Sequence, residues 1–279
     1  MNVNLDQEIN WWNGKAGNEE IDLADEKINR QLRWNIIKRH LADVRTIADI
    51  GASTGAFSIP LARLGYDVTH VDFSPEMLRI AREKAAGIPN IKIVEANSTD
   101  LSAFADNSFD MVINSDGAIS FCGDEAGRAI AESCRIAGKT IILTVSNRAQ
   151  MIPVWLSESI IKTGKILPAA REMFDNGHWH YEQFESNREI IDRYFGTLKA
   201  FTRGELETAL KNNGMAVVSV RALGSLSCLC EKEALTKLKY DEDLFREFIA
   251  LCERYDSEIM PDGPGTRQRA GLVAIARKG

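Results

Sequence analysis

At 279 residues with 44% hydrophobic content, the chain is long enough to bury a full core, most simply as one elaborated domain. Its net charge of −6, from 34 basic and 40 acidic residues, argues against a nucleic-acid partner, whose affinity needs a concentrated basic face. No run approaches the length of a membrane span, Met1 to Glu8 lacks the pattern of a signal peptide, and five scattered cysteines suit reduced thiols, so no membrane partner is expected and the address is cytoplasmic.

In chain order, Glu19 to Leu41 reads as a helix with Ile28, Leu32, Ile36 and Ile37 on an apolar stripe, and residues 1–41 as a helical N-terminal cap. A first strand is expected at Thr46–Ile50, followed after Gly55 by a helix that stops at Gly65. A second strand spans Asp67–Asp72, and Ser74 with Pro75 behind it opens a helix to about Ala85. Strands at Ile91–Glu95, Met111–Asn114 and Thr140–Val145 complete a core over residues 42–146. Apolar strands alternating with helices specify an α/β class with a parallel sheet covered on both faces.

The alternation stops from Asn147 to Thr197, a stretch rich in aromatic side chains that include Trp155, Phe174, Trp179 and Tyr181. Residues 147–200 are therefore expected to form a helical lid insertion over the active site. Thr202 with Glu205 three residues on is a capping box, and residues 201–279 complete the core. That completion contains a strand at Ala216–Ala222, a helical insertion at about 225–268 with its helix over Glu231–Tyr255, and a last strand at Gly271–Arg277.

The most informative segment is Ile47-Ala48-Asp49-Ile50-Gly51-Ala52-Ser53-Thr54-Gly55-Ala56-Phe57, with Val68-Thr69-His70-Val71-Asp72 behind it. An apolar run ending in a glycine-rich turn, then a helix, then an apolar run ending in a carboxylate, is a βαβ unit suited to a nucleoside. A dinucleotide fingerprint needs glycine at the first, third and sixth turn positions, which here are Gly51, Ser53 and Ala56. Two of the three fail, which disfavours a nicotinamide oxidoreductase.

Asp49-x-Gly51-x-x-x-Gly55 instead resembles motif I of the class I S-adenosylmethionine (SAM)-dependent methyltransferases, with Ser53 in place of the middle glycine. The resemblance extends through about residues 45–146. Gly65 to Leu78 is similar to a conserved-pattern stretch of the methyltransferase type 11 group, and Ala96 to Val112 to another, with Asn97 where that group usually has aspartate. It implies a Rossmann-like, doubly wound, seven-stranded, mostly parallel sheet of order 3-2-1-4-5-7-6 with the last strand antiparallel. The cofactor it implies is SAM, with S-adenosylhomocysteine as product.

For the site it implies a set of cofactor contacts at Asp49, Gly51, Ala52, Gly55, Asp72, Phe73, Met77, Asn97, Ser98 and Ser115. Glycine at 51 and 55 leaves room for the ribose and the methionine arm. Asp72 accepts from the ribose hydroxyls, Phe73 lies against the adenine, and the Asn97 carbonyl accepts from the adenine amino group. Ser115 and Asp116 stand where the acceptor meets the methyl group, although Asp116-Gly117 also reads as a plain turn. Trp12, in Trp11-Trp12, is either a hydrophobic anchor or a closure over the cofactor.

His178-Trp179-His180 is the remaining candidate. Alternating histidines share one side of an extended segment, where they can supply a general base and its partner, contact the acceptor, or pack in a surface loop. No third ligand accompanies them at recognisable spacing, so no metal is expected. Cys228-Leu229-Cys230 reads as buried thiols rather than a zinc site. The reading is methyl transfer to an oxygen, nitrogen, carbon or sulfur nucleophile of a small molecule, with His178 and His180 as catalytic candidates. A SAM-binding sensor and non-methyl SAM chemistry stay open, and methylation of RNA or protein is disfavoured. Oligomeric state is left open.

Overall fold

The computed structural model describes residues 5–17, 24–115, 117–180, 196–266 and 271–279. At its centre is strand β1 (Thr46–Ile50), which pairs in parallel with β2 (Asp67–Asp72) on one side and β4 (Phe109–Asn114) on the other. Outside β2 lies β3 (Ile91–Glu95), and outside β4 lies β5 (Ala137–Val145), both parallel. The sheet closes with β9 (Leu272–Lys278), antiparallel to β5, and with β8 (Met215–Ala222) at the edge, antiparallel to β9 and so running in the direction of the other strands. With the sheet strands counted in chain order, this is the expected order 3-2-1-4-5-7-6.

Apolar side chains cover both faces, as the near-continuous hydrophobic strands require. One face buries Ile50, Val112 and Leu143 under helices α5 (Ala126–Ile136) and α8 (Arg203–Asn212). The opposite face buries Ile47, Met111 and Ile275 under α2 (Ala24–Arg39), α3 (Ser58–Arg63) and α11 (Glu242–Arg254). Helix α2 presents Ile28, Leu32, Ile36 and Ile37, the stripe read from the sequence, and it carries acids in its first turn and bases in its last. Residues 19–23 of the expected helix lie outside the described residues. Helix α4 (Pro75–Lys84) starts where Ser74 accepts from the Met77 N–H, and the Thr202–Glu205 capping box opens α8.

Several elements differ from expectation. A helix α1 (Leu5–Lys15) precedes α2 and buries none of its residues, which is why no periodic stripe announces it. The helix expected at Glu231–Tyr255 is two, α10 (Lys232–Lys237) and α11, because the Asp241 carboxylate accepts from the N–H groups of Asp243 and Leu244 and starts a new helix. Cys228 lies in a short helix α9 (Ser225–Leu229) that Cys230 ends, and both are half-buried thiols, not fully buried ones.

The 147–200 stretch is not helical throughout. Helices α6 (Arg148–Thr163) and α7 (Pro168–Asp175) are followed by β6 (His178–His180), which pairs antiparallel with β7 (Thr197–Lys199). These elements have their own small core, in which Trp155 stacks on Trp179 with centroids 3.4 Å apart. Such a pair contributes about 0.5–1.5 kcal/mol beyond its buried area. The unit is tied to the sheet through Glu205, whose carboxylate accepts from Arg148 at 2.5 and 2.7 Å. Tyr181 lies outside the described residues.

Under the first turn of α3, His70 of β2 is fully buried and its Nδ1 shares a 2.7 Å hydrogen bond with Ser58 Oγ. Burial lowers the imidazole from its ordinary 6.5 to about 4, with Arg82 and Lys84 acting in the same direction. Below 6.5 the unfolded chain takes up a proton that the folded chain refuses until about pH 4, so stability falls as pH falls through that window. The loss levels off at about 3 kcal/mol. Denaturant unfolding at pH 7 and pH 4.5 should show a stability drop that is about 2–3 kcal/mol smaller in His70→Gln. Equal drops in the two proteins would show that His70 does not titrate there.

Candidate functional site

The C-terminal ends of parallel strands are where open α/β sheets place their ligands. A cavity of about 520 Å³ lies there, between the turns after β1, β2, β3 and β4 and beneath α1. Its size is typical of small-molecule sites. Of the residues expected to contact a cofactor, Asp49, Gly51, Ala52, Asp72, Phe73, Met77, Asn97, Ser98, Ser115 and Trp12 all line this one cavity. Gly55 does not. Asp116 lies outside the described residues.

The turn after β1 owes its shape to Asp72. Its Oδ2 accepts from the Ser53 N–H at 2.8 Å and its Oδ1 from the Ser74 N–H at 2.9 Å, so one carboxylate joins the turns after β1 and β2. Ser53, the residue that breaks the glycine pattern, takes a left-handed φ of 52°. This is a conformation that costs a serine roughly 1–2 kcal/mol. Its side chain is used, with Oγ donating to Met77 Sδ at 3.2 Å on the cavity wall.

The glycines have other work than the sequence predicts. Gly51 sits at φ +68°, and a Cβ there would lie 2.3 Å from the Ala118 Cβ. The room its missing Cβ leaves is therefore taken by the loop after β4, while Gly51 itself lines the cavity. Gly55, at φ +93°, would drive a Cβ to 2.5 Å from Ile59 Cδ1, and its N–H closes the turn on the Ala52 carbonyl. It packs α3 against the turn, away from the cavity.

Asn97 is also engaged differently. Its Oδ1 accepts from both the N–H and the Oγ1 of Thr99, each at 3.0 Å, which uses the two acceptor positions of a carbonyl. The adenine contact expected of that oxygen is therefore not preformed. Ser115, almost fully buried on the wall, has an Oγ with no hydrogen-bond partner among the described residues. A buried hydroxyl of this kind is a place for a ligand atom.

The outer half of the cavity is built by residues with no sequence signal. A 3₁₀ turn over Ser120–Glu125 contributes Phe121, Cys122, Asp124 and Glu125, while Thr197 comes from β7. Phe121 meets Trp12 edge to face with centroids 4.9 Å apart, which brings α1 over the opening. Burial pushes the Cys122 thiol up to about 11, which holds it protonated at neutral pH. Glu8, Arg30 and Arg128 add charges of both signs. Burial raises the Glu8 carboxyl above the ordinary range.

His178 and His180 are not on the cavity wall, but they touch a residue that is. Asp124 Oδ1 lies 2.8 Å from His178 Nδ1 and 3.8 Å from His180 Nε2. The two imidazoles fall on one side of β6 and Trp179 is buried on the other. Burial, followed by the charge of Lys199, lowers His178 below the ordinary imidazole value despite Asp124. A third potential ligand thus stands beside the pair, where the sequence had none. It comes from a turn far away in the chain, so no spacing rule reaches it.

Residues 47–139 match the family model described as a methyltransferase domain. A demethylmenaquinone methyltransferase of Paenarthrobacter aurescens is 33% identical over 129 residues, covering 44% of this chain and 48% of that protein. A magnesium-protoporphyrin O-methyltransferase of Rhodobacter capsulatus is 29% identical over 125 residues, 44% of this chain and 52% of that protein. The chain spans about half the length of the curated relatives it matches. A solved SAM-dependent methyltransferase from Methanosarcina mazei covers 87% of this chain and 96% of its own, with a TM-score of 0.56 at 20% identity, a likeness of fold. Residues 47–139 are thus similar to a methyltransferase domain, and they lie in a sheet with the strand order of the class I SAM-dependent fold.

The overlap at Gly51 is separable from backbone strain, because Gly65 also has positive φ, +98°, yet a Cβ there would meet nothing within 4 Å. Urea unfolding should find Gly51→Ala less stable than wild type by about 2–4 kcal/mol and Gly65→Ala by about 1 kcal/mol. Equal losses would remove the role given to Ala118.

Proposed function

We propose that the chain binds SAM in this cavity and transfers its methyl group to a small-molecule acceptor. The observation that carries the reading is the convergence of Asp49, Asp72, Asn97, Ser98 and Ser115, from four separate strand ends, on one 520 Å³ cavity within a methyltransferase domain. The relatives' names, for demethylmenaquinone and magnesium protoporphyrin, support a small acceptor rather than a macromolecule.

In this reading Asp72 receives the ribose hydroxyls. The Ser53 and Ser74 N–H groups hold its carboxylate in place at the cavity wall. Phe73 flanks the adenine, Ser98 and the Asn97 carboxamide meet its edge, and Ser115 faces the methionine end. Trp12 and Phe121 close the site, and the space toward Asp124 and Thr197 takes the acceptor. The acceptor's lone pair then forms a bond to the methyl carbon as the carbon–sulfur bond breaks. That electron pair returns to sulfur, leaving S-adenosylhomocysteine. Alignment of the reactants can supply on the order of 7–11 kcal/mol of the barrier reduction.

A proton acceptor is required only where the nucleophile enters protonated. The acceptor and its nucleophilic atom would be found by incubating the protein with methyl-labelled SAM and a metabolite extract. Label transfer marks an enzyme, and tight SAM binding without turnover marks a sensor. By calorimetry, Asp72→Asn should weaken SAM binding by about 5- to 150-fold, the equivalent of roughly 1–3 kcal/mol for a desolvated hydroxyl left poorly paired. Undiminished affinity would displace the ribose from Asp72.

A further inference from the structure

Asp124, His178 and His180 present one potential ligand atom each, all within 4.8 Å of one another. We propose that they form a binding site for a divalent first-row transition-metal ion at the acceptor end of the cavity. Two imidazoles and one carboxylate are the donor set that suits zinc, cobalt, manganese or iron(II). Magnesium and calcium prefer all-oxygen shells.

Donors bound to such an ion at about 2.0–2.2 Å stand roughly 3–3.6 Å from one another. The separations of 2.8 and 3.8 Å from Asp124 Oδ1 bracket that range and the two imidazole donors lie within 4.8 Å of each other, so metal entry asks for small adjustments of the side chains. The histidine ligands are preorganised. Antiparallel pairing with β7 holds β6, and the buried Trp179 pins it from behind through its stack on Trp155. The imidazole rings lie nearly parallel, 5.8 Å apart and inclined by 30°.

Asp124 is more exposed, with 69% of its side chain accessible, which leaves a path for an ion from solvent. Lys199 stands opposite His178 in the strand pair and is the charge that would oppose a cation. Its ammonium is directed to Glu205 Oε1 at 3.6 Å and to the carbonyl of Asn176. The third donor, Asp124, and Thr197, the register partner of His180, both line the cavity. An ion held by three side chains keeps further coordination positions for an exogenous donor. That these positions would serve an oxygen on the methyl acceptor rests on the proposed methyltransferase reading; metal binding itself does not.

The test uses the full-length chain, freed of any affinity tag and of metal by chelator and dialysis. Titration with Co²⁺, read by visible absorption, and with Zn²⁺, read by calorimetry, should show one ion per chain with a nitrogen-and-oxygen ligand spectrum. His178→Ala and His180→Ala should each weaken binding by on the order of ten- to hundredfold. Asp124→Ala, at the exposed member, should do the same with the least disturbance of the fold. Absence of a cobalt spectrum and of zinc heat up to millimolar concentration overturns the site, as does equal affinity in wild type and the three variants. Either result would leave His178–Asp124 as a plain hydrogen-bonded pair. SAM calorimetry on the same metal-free samples reads cofactor binding separately, so loss of one reading is distinguishable from loss of the other.

Discussion

The Asp72 carboxylate organises the ligand end of this sheet. By accepting from the backbone of both Ser53 and Ser74, it locks together the turns that follow the two strands on either side of the first crossover helix. The lock extends outward. Ser74 Oγ donates to Asn13 Oδ1 at 2.7 Å and the Glu76 N–H donates to the same oxygen at 3.2 Å, so a residue of α1 is fastened to the start of α4. No residue of helix α1 is fully buried, and these polar contacts together with the Trp12–Phe121 ring contact hold it over the cavity. An element held this way belongs to the low-stability end of a fold, where closing elements of binding sites are found.

The opposite wall is built on a different principle. Its residues sit on a 3₁₀ turn and a two-stranded sheet whose packing comes from Trp155, Met173 and Trp179, a core separate from the two that flank the main sheet. Gly123 makes the junction possible, since a Cβ there would lie 2.2 Å from Thr197 Oγ1. Close approach of β7 to the turn is what brings Thr197 and Asp124 to the same space. The inner half of the cavity is thus shaped by the strand ends of the sheet and the outer half by the 3₁₀ turn with Thr197 of β7. In the proposed reading, this division allows acceptor preference to change without altering the turns that would hold the nucleoside.

The cavity also carries charge. Asp49 and Asp72 are buried at the strand ends, and Glu8, Arg30, Asp124 and Arg128 line the same cavity with both signs of charge.

The sequence by itself determined the α/β class, the strand order once the family resemblance was added, and the inner half of the cavity. It did so because hydrophobic periodicity, caps such as Ser74 and Thr202, and the Asp49 to Asp72 spacing are local signals, and a βαβ unit places residues at its own strand ends. Even there it left out contacts that depend on neighbours it could not place. Gly51 clears space for Ala118, Gly55 for Ile59, and the Asn97 carbonyl is taken by Thr99. Only the tertiary structure decided the rest. Helix α1 has no buried stripe to announce it, the lid carries strands too short for periodicity to resolve, and Asp124 reaches His178 and His180 through a crossing of elements remote in the chain. Convergence of that kind is set by how the lid packs on the sheet, and no spacing within a single segment encodes it.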